Sequence, residues 1–278
     1  MEGTSFERLG ASEPASPVVL SVPHAGREYP PALFAALRAP AAALSALEDR
    51  YVDAVARMAR GARTALVATR ARAWIDLNRG EDERDPRVDE GALGLPVRSA
   101  KVRGGLGLVP RRAASASDLW RGRFAADEIA RRIAADHRPY HRAIADALAS
   151  ARTRFGVAVL LDLHSMPPLG AGRPRVVVGD RFGRAAAPRF VARVEQAAAG
   201  HSVARNTPYA GGHILDRHGA PMRGVHAIQV ELDRRLYLDE RLDRPGAGLV
   251  LTAALVERML EALEEEAIGA PGLAWAAE

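Results

Sequence analysis

The feature that most restricts this chain is the run Val157-Ala158-Val159-Leu160-Leu161-Asp162-Leu163, apolar at every position but one. A strand with one wet face alternates apolar and polar side chains, so a run without alternation is buried on both faces and must be covered from above and below. Pro17-Val18-Val19-Leu20-Ser21-Val22 reads the same way and is stopped by Pro23. Thr64 to Thr69, Ala73 to Leu77, Arg175 to Val178 and Ala227 to Leu232 are the further strand candidates. Between them lie helical patterns. Leu44, Leu47, Tyr51, Val55 and Met58 recur at helical spacing over Ala41 to Ala59, which predicts one helix carrying Asp49 and Asp53 on another face. Phe124 to Arg154 is helical with an interruption near Pro139, and Ala185 to Ala199 and Leu249 to Glu266 follow. Buried strands alternating with helices predict the α/β class: a single domain over residues 1–278, with a mostly parallel mixed sheet flanked by helices on both faces.

Composition removes several chemistries. With no cysteine there is no disulfide, no thiolate nucleophile and no sulfur ligand, so a bound metal must be held by nitrogen and oxygen. The net charge of +5 invites a nucleic-acid partner, but the arginines are dispersed and Lys101 is the only lysine, so no nucleic-acid partner is expected. No stretch approaches the roughly 18 apolar residues that span a bilayer. Met1 to Pro17 lacks the pattern of a secretory signal, so a cytoplasmic protein without a membrane partner is expected.

From Gly80 to Pro110 the periodicity dissolves into glycine, proline and charge, which predicts a substrate loop or lid. Ligands of open α/β sheets collect beyond the carboxyl ends of the strands. His24 and His164 each directly follow a buried strand there, and Asn78-Arg79 ends a third. Glu231 stands within an apolar strand, where an unpaired carboxylate is costly; it is either paired with Arg234 or Arg235 or kept for chemistry.

Five segments carry a family resemblance: Ser21-Val22-Pro23-His24-Ala25-Gly26, Asp76-Leu77-Asn78-Arg79, Asp162-Leu163-His164-Ser165-Met166-Pro167-Pro168, Pro208-Tyr209-Ala210-Gly211-Gly212 and His226-Ala227-Ile228-Gln229-Val230-Glu231-Leu232. In this order, over about residues 21–239, the chain resembles the N-formylglutamate amidohydrolases, more distantly the zinc carboxypeptidases and aspartoacylases. The resemblance implies a phosphorylase/hydrolase-like fold and a Zn2+ or other divalent cation held by His24, an acidic residue and His164, with Glu231 as general base. The acidic ligand is implied to be Asp49, with Asp53 one turn on as a substitute or supporting carboxylate. Arg27 stands where a carboxypeptidase would carry glutamate, and Glu28 is one position late. Asp162 is implied to orient a ligand histidine. Arginine grips carboxylates through paired hydrogen bonds, so Asn78, Arg79, Arg72 and Arg217 are the candidates for holding a small N-acyl amino acid substrate. His213 and His226 are further candidates for polarising its carbonyl. The implied reaction is removal of formate from N-formyl-L-glutamate in histidine degradation. Two rivals are an amidase for another N-acyl amino acid and a non-catalytic basic binding protein.

Overall fold

A computed structural model describes residues 5–94, 99–113 and 118–269. The strands are β1 (Phe6–Leu9), β2 (Val18–Val22), β3 (Thr64–Ala68), β4 (Ala158–Met166), β5 (Val176–Gly179), β6 (Val203–Arg205) and β7 (Val225–Asp233). They form one sheet in the order β1-β3-β2-β4-β7-β5-β6. The central strands β3, β2, β4 and β7 are mutually parallel; β1 joins β3 antiparallel, and β5 joins β7 antiparallel while running parallel to β6. The mostly parallel sheet predicted from continuous apolar runs is therefore present, and β2, β3, β4 and β5 are buried at every position.

The helices are α1 (Pro31–Ala36), α2 (Val52–Ala59), α3 (Ala100–Arg103), α4 (Ala126–Arg132), α5 (Arg138–Phe155), α6 (Pro188–Ala197), α7 (His213–His218) and α8 (Leu249–Gly269). Two cores follow from the pleat, which sends successive side chains to opposite faces. Val18, Leu20, Val159, Leu161, Leu163, Ile228, Val230 and Leu232 face α2, α6 and α8. Val19, Ala158, Leu160 and Ala227 face α4, α5 and α7. Ser21, Asp162, His164, Gln229 and Glu231 share the parity of this second set, so one face of the sheet changes from apolar to polar towards the carboxyl ends of β2, β4 and β7. No helix among the described residues is long and apolar enough to cross a membrane.

Two predicted elements differ. Ala41 to Ala59 is not one helix: a 3-10 turn, Ala41–Leu47, is followed by a break, and α2 begins only at Val52. Tyr51 takes a left-handed backbone (φ 56°), and the Asp49 N–H donates to the His24 carbonyl at 2.9 Å instead of continuing a helix. Leu44 and Leu47 pack in one core and Val55 in the other, which a straight helix could not do. Ala73 to Leu77, apolar apart from Asp76, does not form a strand: its Asp76 N–H donates to the Leu108 carbonyl at 2.7 Å, and no strand among the described residues pairs with it. Within the 80–110 segment, residues 95–98 lie outside the described residues. The remainder is closed on itself by Leu108 N–H to Glu83 O (2.7 Å) and tied to the residues just after this turn by Arg79 Nε to Leu106 O (2.7 Å). The interruption near Pro139 is a π turn, Ile133–His137, between α4 and α5. Proline has no N–H with which to continue the α ladder.

After β2 the chain must leave His24 and pass beside the exit of β3, where Glu28 N–H donates to Thr69 O at 2.9 Å. Gly26 permits this, because a Cβ there would lie 2.0 Å from the Arg70 carbonyl oxygen. Gly26→Ala is expected to cost about 3 kcal/mol in urea unfolding, the upper range for forced overpacking. Gly122→Ala, which meets nothing within 4 Å, should stay within about 0.5 kcal/mol.

Candidate active site

His24, one residue beyond the Pro23 that stops β2, and His164, near the carboxyl end of β4, come together with their ring centroids 4.7 Å apart. Asp49 enters between them from the break before α2. Its Oδ2 lies 3.0 Å from His164 Nδ1 and 3.6 Å from His24 Nδ1. One ligating atom from each of His24, Asp49 and His164 lies within 4.8 Å of those of the other two, and all three residues are buried.

The opposite nitrogen of each ring is held by another buried carboxylate. His24 Nε2 is 2.7 Å from Asp76 Oδ1, and His164 Nε2 is 3.0 Å from Asp162 Oδ2. A carboxylate accepts, so each Nε2 carries the proton and each Nδ1 of a neutral ring turns its lone pair towards Asp49. Asp162 is itself fixed by the Ser21 hydroxyl, which donates to Oδ1 at 2.8 Å. Asp76 accepts from Arg72 Nε at 2.8 Å and from the Asn78 N–H at 2.8 Å.

The electrostatics favour positive charge between the rings. Burial alone would raise the Asp49 carboxyl, but the His164 and His24 rings hold it well below the usual carboxylate range. Burial would also lower the His164 ring, yet Asp162 and Asp49 lift it well above the ordinary histidine value. Asp76, opposed by burial, is kept ionised by Arg72, Arg79 and His24. Carboxylates that lift a fully buried ring in this way make a field that attracts a cation. Two imidazole nitrogens and a carboxylate, with no sulfur, are a donor set that zinc accepts.

Glu231 sits opposite His164 in the β4–β7 register and is 8% exposed. It forms no ion pair among the described residues. Arg235 binds Asp233 (2.7 Å), and Arg234 reaches Asp49 Oδ1 (3.4 Å). The Glu231 Oε1 accepts from Gln229 Nε2 at 2.9 Å. Burial raises this carboxyl to about 7; His164 pulls it down and Asp49 pushes it up.

These groups open into a cavity of about 610 Å3 whose wall includes Arg72, Asn78, Arg79, Lys101, Tyr209 and Arg234. Asn78 is a buttress as well as a lining group: its Oδ1 accepts from the Ile214 N–H at 2.9 Å, and its Nδ2 lies 3.2 Å from His164 Nε2. Gly212 lets the Pro208–Gly212 loop close over it, since a Cβ there would lie 2.4 Å from Asn78 Oδ1. His213 also lines the cavity, whereas His226 is buried beside Phe190, away from its wall.

Three sequence candidates lie apart from this cluster. Asp53 is clasped by Arg27 through two hydrogen bonds of 2.8 Å. Arg27, at the position of a carboxypeptidase's ligand glutamate, is thereby occupied elsewhere. Glu28 is exposed and accepts from the Thr69 hydroxyl at 3.0 Å. Arg217 is exposed on α7 and does not line the cavity. Conversely, Lys101, Tyr209, Gln229 and Arg234 line the cavity without being site candidates in the sequence; Tyr209 and Gln229 lie in the motifs that carry the resemblance, whereas Lys101 and Arg234 are revealed by proximity in space. Asp76 had a signal in Asp76-Leu77-Asn78-Arg79, but its bond to His24 spans 52 positions.

The chain is 34% identical over 266 residues to an N-formylglutamate deformylase of Pseudomonas aeruginosa, covering 89% of this chain and 92% of that protein. It is 28% identical over 281 residues to the N-formylglutamate deformylase of Pseudomonas putida, covering 94% of each. The crystal structure of an N-formylglutamate amidohydrolase from Ralstonia eutropha superposes with a TM-score of 0.84 at 32% identity, covering 94% of this chain and 98% of that one. Residues 16–238 match the model of the family described as N-formylglutamate amidohydrolase, and the chain belongs to that family.

Proposed function

We propose that this protein hydrolyses the amide bond of N-formyl-L-glutamate, giving formate and glutamate, with a divalent cation of the zinc type held by His24, Asp49 and His164. The observation that carries the reading is the paired arrangement in which both histidines turn Nδ1 towards Asp49 while Asp76 and Asp162 fix the far nitrogens. The names of the Pseudomonas and Ralstonia relatives supply the substrate. When bound, the ion supplies Lewis-acid activation of water and of the scissile carbonyl.

The chain's own residues do the rest. Glu231 takes a proton from the attacking water and delivers it to the departing amine nitrogen, a transfer suited to a carboxyl raised by burial towards neutral pH. Arg79 and Arg72 present cationic charge to the cavity, joined by Lys101 and Arg234, so a substrate with two carboxylates meets complementary charge. Arg72 also holds Asp76, which links the substrate wall to the His24 anchor. Gln229 keeps the Glu231 carboxylate in one orientation. By this reading the reaction serves histidine breakdown in the cytoplasm.

Turnover of N-formyl, N-acetyl and N-succinyl derivatives of glutamate and alanine, measured with Zn2+ present, tests the substrate. N-formylglutamate is expected to have the highest kcat/KM; equal or better turnover of a longer acyl group overturns the assignment in favour of another N-acyl amidase. Glu231→Gln keeps size and the bond to Gln229 but cannot accept a proton. It should lower kcat by roughly 10^3, within the range for a general base, with metal content unchanged by elemental analysis; near-wild-type kcat would remove Glu231 from the mechanism.

A further inference from the structure

Four of the eight histidines gather away from the His24 and His164 pair. The π turn before α5 places His137 one turn ahead of His141, so that both rings point at α7, where His213 and His218 wait. Centroid separations are 4.4 Å for His137 and His141, 5.2 Å for His141 and His213, and 6.0 Å for His137 and His213. Three imidazoles on one tetrahedral ion, with nitrogen about 2.0–2.1 Å from the metal, have centroids about 5 Å apart.

Hydrogen bonding sets the tautomers. His137 Nε2 lies 2.8 Å from the Arg79 carbonyl and His141 Nε2 3.0 Å from the Leu77 carbonyl. Carbonyl oxygens only accept, so both Nε2 atoms carry hydrogen and both Nδ1 atoms are acceptors. His141 Nδ1 faces His218 Nε2 at 2.9 Å. Among the described residues His137, fully buried, has no hydrogen-bond partner for Nδ1, and His213 Nε2 is also buried without one. Native proteins seldom leave such atoms unanswered.

We infer that His137, His141 and His213 form a second binding site for a divalent transition metal of the zinc class, separate from His24, Asp49 and His164. One ring nitrogen of each residue lies within 4.8 Å of one from each of the others. The ion takes the lone pair of His137 Nδ1, meets the buried His213 Nε2, and replaces the His218 contact at His141 Nδ1. Glu81 Oε1 is 3.9 Å from His137 Nδ1 but is clasped by Arg138 through hydrogen bonds of 3.1 and 2.8 Å, so it would have to leave that ion pair to serve as a fourth ligand. Burial, with Arg217 and the neighbouring rings, lowers His141, pushes His218 down to about 3 and lowers His137 and His213, leaving all four in the neutral, ligating form. Against the cation stands exposed Arg217; in its favour stand Asp82, Glu83 and Asp216. Because His137 and His141 grip the carbonyls on either side of Asn78, an ion here would brace the segment that lines the active cavity. The role assigned is structural.

The test counts metal on the full chain. Protein stripped with a chelator is titrated with Zn2+ alone or Co2+ alone, and bound metal is measured by elemental analysis after gel filtration, with folding followed by circular dichroism. The intact chain should bind two equivalents, His24→Ala/His164→Ala one, and the same double variant carrying His213→Gln none. In the double variant Zn2+ should raise Tm, and in the triple variant it should not. If the double variant does not fold, His213→Gln alone decides, dropping from two equivalents to one. One equivalent in both intact chain and His213→Gln, or a folded double variant that binds no ion, overturns the second site while leaving the first intact. Loss of metal from the intact chain altogether would instead overturn both.

Discussion

The structure of the site depends on a repeated interaction: a buried imidazole bonded at Nε2 to a buried aspartate, once as His24 with Asp76 and once as His164 with Asp162. Each bond fixes a ring plane and a tautomer together, and the two Nδ1 atoms then have one direction left to face, which is Asp49. Ligand histidines in metal sites are commonly oriented by such outer carboxylates, and losing one typically costs 10–100-fold in metal affinity. The consequence is a site pre-formed by the fold, because the anchoring carboxylates sit on β4 and on the turn pinned to Leu108 rather than on a loose segment.

Charge gives a second view of the same constraint. Asp49, Asp76, Asp162 and Glu231 are all at most 8% exposed, within one short stretch of the sheet's carboxyl edge. Burying carboxylates is costly unless cations or protons answer them. Arg72 and Arg79 answer Asp76, and Arg234 reaches Asp49, yet His164 is still drawn towards protonation and Glu231 is still raised to about 7. A divalent cation held by His24, Asp49 and His164 would relieve both at once, by supplying the positive charge that these carboxylates draw from His164 and Glu231. The same excess of negative charge explains why the cavity-lining arginines are tethered to aspartates rather than free to swing.

The sequence made the central sheet and much of this site legible, for a definite reason. His24, His164 and Glu231 stand at the ends of strands buried on both faces, and such strands announce themselves as unbroken apolar runs. Asp162 and Gln229 could have been placed on their face by counting pleats. Asp49 was named through resemblance, but its reach between the rings depends on the left-handed Tyr51 that breaks the expected helix, and no periodicity signals that. The edge strands β1 and β6 are short and partly exposed, so they lack the apolar run that marks the others. Ala73 to Leu77 carried that run without being a strand, because its burial comes from threading under the 80–110 segment and not from a sheet. Arg217, Asp53 and Glu28 were plausible by residue type alone; ion pairing and exposure carried them elsewhere.

The most direct test is crystallographic. Anomalous difference maps of catalytically active protein, recorded on both sides of the zinc absorption edge, should show a peak bounded by His24, Asp49 and His164 that disappears below the edge. An active crystal form with no anomalous density between those three side chains, or with Asp49 turned away from both rings, would contradict the account.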